Sequence, residues 1–187
     1  SGDWSMPEEI NRLVTDSISN WFFTTSDVAN ENLRSAGVSD ERIFFVGNTM
    51  IDTLLANMPR LKKPGFCDEL GLRAGEYIVT TLHRPKNVDQ QDGFADLLNA
   101  IADAARGLAV VFPVHPRTAK TLHSLGSLPT NIFLVDPQPY LEFNFLVKNA
   151  LAVITDSGGI TEETTVMGIP CLTLRDNTER PETITLG

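Results

Sequence analysis

The chain has 187 residues, enough for one to one and a half domains with a buried core, and its apolar fraction of 42% is ordinary for a globular protein. No apolar run approaches the roughly 18 residues that span a bilayer, and a formal charge of −9 without a polybasic stretch argues against DNA or RNA as a partner. Cys67 and Cys171 lie far apart and fit no metal spacing, so they read as reduced thiols in a cytoplasmic setting.

Pro7, Glu8 and Glu9 open a helical pattern with Ile10, Leu13, Val14 and Ile18 on one face, which predicts a helix over residues 6–19. Residues 21–25 read as a short buried strand, Ser26 as the N-cap of a helix that ends at Gly37, and residues 43–46 as a second strand closed by Gly47. A helix over residues 49–57 then leads into PRLKKPG at 59–65, whose proline, glycine and charge content is that of a linker. The opening at Ser1 without an initiator Met and the stop at Gly187 are expected to be cuts through a longer protein.

Beyond the linker, strands are expected at 77–82, 109–114, 132–135, 151–155 and 171–174, with helices over about 90–105, 118–125, 140–149 and 160–167. Strands apolar throughout and separated by amphipathic helices predict an α/β fold with a parallel sheet covered on both faces. Ligands of such folds sit outside the carboxyl ends of the strands. The unusual residues fall there: TLHR at 81–84, PVHPR at 113–117, DPQPY at 136–140 and DSGG at 156–159.

The stretch 151–182 reads as strand, glycine turn and helix start, a geometry that makes an anion site, because helix N–H groups and the positive dipole end face the ligand and glycine allows close approach. Arg175 and Arg180 follow on the next strand's end. An ordinary strand-to-helix turn with surface charges is the plainer alternative. His83 and Arg84 supply either an imidazole and a guanidinium at the crevice or a surface capping pair. His115 with Arg117 is either a second anion contact or a structural turn. Gln138 and Phe143 can recognise a base by hydrogen bonding and stacking, while spacing alone favours the core for Phe143. Glu162 and Glu163 either complement the helix dipole or accept ribose hydroxyls. Glu8, Glu9 and Arg12 suit a solvated helix face. Three scattered histidines without a ligand pattern argue against a protein metal site, and no cofactor is expected.

In combination, MPEEINR at 6–12, VGNTMID at 46–52, TLHR at 81–84, HPRT at 115–118, DSGGITEE at 156–163 and RDNTERPE at 175–182 resemble the non-hydrolysing UDP-N-acetylglucosamine 2-epimerases, in order and over nearly the whole chain. The resemblance implies a glycosyltransferase-B-like fold of two Rossmann-like domains. Residues 1–60 would be the end of the first domain and residues 61–187 a UDP-binding second domain, truncated at its end. It implies interconversion of UDP-GlcNAc and UDP-ManNAc in the cytoplasm for cell-envelope polysaccharides, by elimination of UDP and re-addition, in a homodimer.

By the same resemblance, Gln138 and Phe143 match the uracil site, Ser157, Gly158 and Gly159 the diphosphate contacts, Glu163 the ribose-binding acid and Arg180 the arginine near phosphates and sugar. His83 matches the active-site histidine with Arg84 beside it, and Glu8 a helix bordering the cleft. The family's catalytic acids would lie upstream of Ser1, so this chain alone is expected to bind UDP but turn over poorly. Lys86 stands where the family carries an acid, and HPRT departs from the usual sequence, which puts in question the regulatory UDP-GlcNAc site of bacterial members. A glycosyltransferase of the same fold and a non-catalytic UDP-sugar-binding module are the alternatives.

Overall fold

Short apolar runs bounded by turn chemistry set the elements of the computed structural model, which describes residues 7–175 and 183, without the side chains of Glu8, Gln91 and Arg117. The chain divides into two compact units between Leu55 and Ala56.

The first unit contains α1 (Pro7–Ile18), β1 (Phe22–Thr24), α2 (Asp27–Ser35) and β2 (Ile43–Phe45), with α3 (Thr49–Asn57) following. Ser26 has extended backbone and its hydroxyl accepts from the Ala29 N–H at 3.3 Å, the expected N-cap. β1 and β2 pair in parallel with Phe22 opposite Ile43. Phe22 and Thr24 are buried while Trp21 and Phe23 are exposed, so the strand expected to be buried throughout is buried on one face only. The apolar stripe of α1 is likewise exposed at Ile10, Val14 and Ile18.

The second unit carries five parallel strands: β3 (Tyr77–Thr81), β4 (Ala109–Pro113), β5 (Ile132–Val135), β6 (Ala152–Thr155) and β7 (Cys171–Thr173), in the order β5-β4-β3-β6-β7. Its helices are α4 (Phe66–Glu69), α5 (Pro85–Val88), α6 (Gln91–Ala104), α7 (Pro116–Ser124), α8 (Tyr140–Asn149) and α9 (Gly158–Met167). The single-turn helices α4 and α5 were not expected, because one turn is too short for a 3.6-residue periodicity to show; α5 is started by Pro85 after an extended Arg84.

Alternation along the strands splits the core. Ile78, Leu82, Val110, Phe112 and Ile154 point to one side, where Val88, Phe94, Leu98, Ile101 and Leu122 from α5, α6 and α7 cover them. Tyr77, Val79, Val111 and Val153 point to the other, against Cys67 of α4 and Leu146 and Val147 of α8, with Ile160 and Met167 of α9 at its edge. Both faces of the sheet are therefore closed, as parallel sheets require. The Tyr77 hydroxyl donates to the Leu146 carbonyl at 2.7 Å inside the second layer, tying β3 to α8. α9 ends at Gly168, whose left-handed φ of 69° suits glycine at a helix C-terminus.

Candidate functional site at the sheet's switch point

From β3 the chain steps outward to β4 and β5, then returns to lay β6 on the opposite side of β3. The crevice above β3 and β6 is thus the topological switch point, where helices leave to opposite faces. The register is fixed by Thr81 opposite Thr155. One residue further, the two loops that carry His83-Arg84 and Asp156 to Gly159 must lie side by side.

Asp156 is completely buried and holds the two loops together. Its carboxylate accepts from the backbone N–H of His83 at 3.1 Å, the backbone N–H of Arg84 at 2.9 Å, the side-chain amide of Asn87 at 3.0 Å and Nδ1 of His83 at 2.9 Å. Arg84 returns the contact, its Nε donating to the Asp156 carbonyl at 2.9 Å. Burial alone would push the Asp156 carboxyl up, but the donors from His83, Arg84 and Asn87 override it and bring the pKa down to about 2. Asn87 reaches onward to the Leu174 carbonyl at 3.3 Å, which adds the end of β7 to the same cluster.

Helix α9 begins at Gly158, two residues earlier than its composition suggests, so both glycines lie in its first turn rather than in a turn before it. Ser157 has extended backbone, and its N–H donates to the Thr155 hydroxyl at 3.0 Å, which pairs with the Thr81 hydroxyl at 2.6 Å. The first-turn N–H groups of a helix have no intrahelical partners, and no side chain of the described residues caps this end. Their direction and the helix dipole favour an anion above β6.

Deeper along α9, Glu162 and Glu163 are buried, and Glu163 accepts from the Tyr140 hydroxyl at 3.2 Å. Burial raises the Glu163 pKa, the Tyr140 hydrogen bond opposes the rise, and the neighbouring Glu162 adds to it. Gln138 donates to the Asp136 carbonyl at 2.7 Å in the loop before α8, and Phe143 is half-buried against the second core layer. His115 follows β4, exposed, with its ring centroid 6.0 Å from that of His83.

The switch point thus gathers His83, Arg84, Ser157, Gly158 and Gly159, while Gln138, Phe143 and Glu163 belong to α8, its preceding loop and α9. Glu8 lies in α1 of the first unit, where Arg12 pairs with Glu9 at 2.6 Å and Asp16 at 2.7 Å. Arg180 lies outside the described residues. Asp156, Asn87, Thr81 and Tyr140 went unassigned in the sequence; their signal is strand adjacency, which the residue pattern does not carry. No group of three or more His, Cys, Asp or Glu among the described residues could hold a metal ion, and none of their helices is long and apolar enough to cross a membrane.

A parallel sheet with its first strand central, and a helix N-terminus beside an imidazole at the switch point, defines a Rossmann-like α/β domain. The chain belongs to the UDP-N-acetylglucosamine 2-epimerase family, whose model matches residues 1–187. It is 40% identical over 198 residues to UDP-N-acetylglucosamine 2-epimerase of Methanocaldococcus jannaschii, covering 100% of this chain and 54% of that protein. It is 37% identical over 186 residues to UDP-2,3-diacetamido-2,3-dideoxy-D-glucuronate 2-epimerase of Pseudomonas aeruginosa, covering 97% of this chain and 51% of that protein. The crystal structure of the M. jannaschii UDP-GlcNAc 2-epimerase in complex with UDP-GlcNAc and UDP superposes with a TM-score of 0.84 at 40% identity, over 99% of this chain and 53% of that one. The chain spans about half the length of the curated relatives it matches.

Proposed function

We propose that the chain is the UDP-binding part of a UDP-N-acetylglucosamine 2-epimerase, together with the end of its first domain, the two meeting near residue 60. The whole enzyme interconverts UDP-GlcNAc and UDP-ManNAc by eliminating UDP to leave 2-acetamidoglucal and adding it back with the opposite configuration at C2. The observation that carries this function is the open N-terminus of α9 beside His83 at the switch point. Elimination leaves charge on the departing diphosphate, and preorganised helix N–H groups, the Ser157 hydroxyl, Arg84 and the His83 imidazole suit that charge as it develops. Glu163 accepts ribose hydroxyls, Gln138 and Phe143 hold the uracil, and Arg180 reaches the phosphates. The enzyme works in the cytoplasm as a homodimer, without nucleic acid, and supplies cell-envelope polysaccharides.

Calorimetry with UDP and uridine tests the placement. Ser157→Ala and Arg180→Ala should each weaken UDP by about tenfold, roughly 1.4 kcal/mol, and leave uridine unchanged, because both contact phosphate rather than base. Equal losses for the two ligands refute it.

A further inference from the structure

We propose that Asp156 is the positioning residue for His83: its buried carboxylate fixes Nδ1 as the protonated ring nitrogen and leaves Nε2 as the atom that meets the ligand. The inference rests on the role given to His83 above and adds the group that orients it. One carboxylate holds the histidine at two points, its backbone N–H at 3.1 Å and its ring Nδ1 at 2.9 Å, so the ring cannot turn without breaking its own anchor. The carboxylate itself cannot follow the ring, since the Arg84 N–H at 2.9 Å and the Asn87 amide at 3.0 Å hold it from other directions. Asp156 is fully buried whereas the His83 side chain is 42% exposed, so the dyad has one end fixed in the protein and one end open to the crevice.

An ionised carboxylate only accepts hydrogen bonds. The nitrogen facing it must therefore carry a proton whether the imidazole is neutral or charged. Every proton that His83 gains or loses passes through Nε2, on the far side of the ring, and that nitrogen accepts when the ring is neutral and donates when it is charged. A histidine side chain free in water prefers the opposite tautomer, with the proton on Nε2, so the arrangement leaves a spectroscopic mark that loop bracing by Asp156 would not require.

Nitrogen–proton correlation spectra of the histidine rings at alkaline pH read the tautomer directly, the His83 signals being identified by their loss in His83→Gln. Wild-type chain should show a protonated Nδ1 and an imine-like Nε2 at His83. A protonated Nε2 with a bare Nδ1 overturns the proposal. In Asp156→Asn, whose neutral amide can face Nδ1 as donor or acceptor, the pure Nδ1–H pattern should relax to a mixture; its persistence in a folded variant also overturns it. If that variant does not fold, the wild-type spectrum alone decides. Titration with UDP separates this inference from the proposed function: UDP should move the Nε2 signal, and UDP bound with neither ring nitrogen perturbed removes His83 from the ligand site while leaving the tautomer measurement to stand by itself.

Discussion

Glu163 is in a position that costs stability. Its carboxyl is buried, with burial and Glu162 raising its pKa above the usual value for a glutamate and the hydrogen bond from the Tyr140 hydroxyl opposing the rise. For an acid with a raised folded pKa, folding favours the protonated form, so stability is greater at low pH and falls as pH rises through the folded value. Glu163→Gln is accordingly expected to melt no lower than wild type at neutral pH, and higher if the charge dominates, while UDP binding weakens by about tenfold from loss of a charged acceptor. Scanning calorimetry and UDP titration check the two halves, and an unchanged UDP affinity would remove Glu163 from the ribose. The type and rough place of such residues were legible, since DSGGITEE marks a strand end and a helix start. The Tyr140 contact was not, because it joins two helices 23 residues apart in sequence.

Among the elements, the long helices and the strands of the second unit could be read from periodicity, and the sheet was correctly expected to be parallel. Three features escaped. Helix α5 has four residues and no repeat to detect. Helix α9 takes in glycines that composition assigns to a turn, because poor helix formers are tolerated in a first turn whose N–H groups have no partners in any case. Burial in the first unit was overestimated at Trp21 and Phe23, since an apolar run does not say how many faces of its strand are covered. Packing between elements yields its own expectation. Tyr77→Phe leaves the shape of the second core layer intact but removes the donor that reaches α8, and should lower the unfolding free energy by about 1 kcal/mol without change in UDP affinity, as read from urea melts. A loss of UDP affinity would mean that this tie also sets the position of the ligand residues.

At the scale of the molecule, Asp156 sets an acid limit. Its folded pKa of about 2 lies below its ordinary 3.8, so it contributes stability above the unfolded value, and that contribution is lost as pH falls through the folded one. Between these values the chain should lose roughly 2 kcal/mol from this residue, and Asp156→Asn should flatten the acid limb of a stability–pH curve measured by urea unfolding. An unaltered acid limb would place the sensitivity elsewhere among the carboxylates. The chain by itself is expected to bind UDP without measurable epimerisation, followed by proton exchange at the sugar 2-position; full turnover would show that the family's acids are not needed from outside it. The composition of residues 59–65 is that of a linker, whereas the compact units divide between Leu55 and Ala56, within α3, because composition marks where a chain is free to bend rather than where its contacts change.

The central place of β3 has a consequence in time. Its neighbours on one side, β4 and β5, follow it directly in the chain, but its partner on the other, β6, arrives 74 residues later at the Thr81–Thr155 pair. As the chain emerges from the ribosome, β3 must wait with one edge bare, and an apolar Tyr-Ile-Val-Thr-Thr edge is a template for pairing with other molecules. Insertion of β6 closes that edge and, in the same event, delivers Asp156 to His83 and the start of α9 to the crevice. On the proposed function, the diphosphate site is complete only after β6 is in place, so a nucleotide bound there would favour the closed sheet over the form with a bare β3 edge.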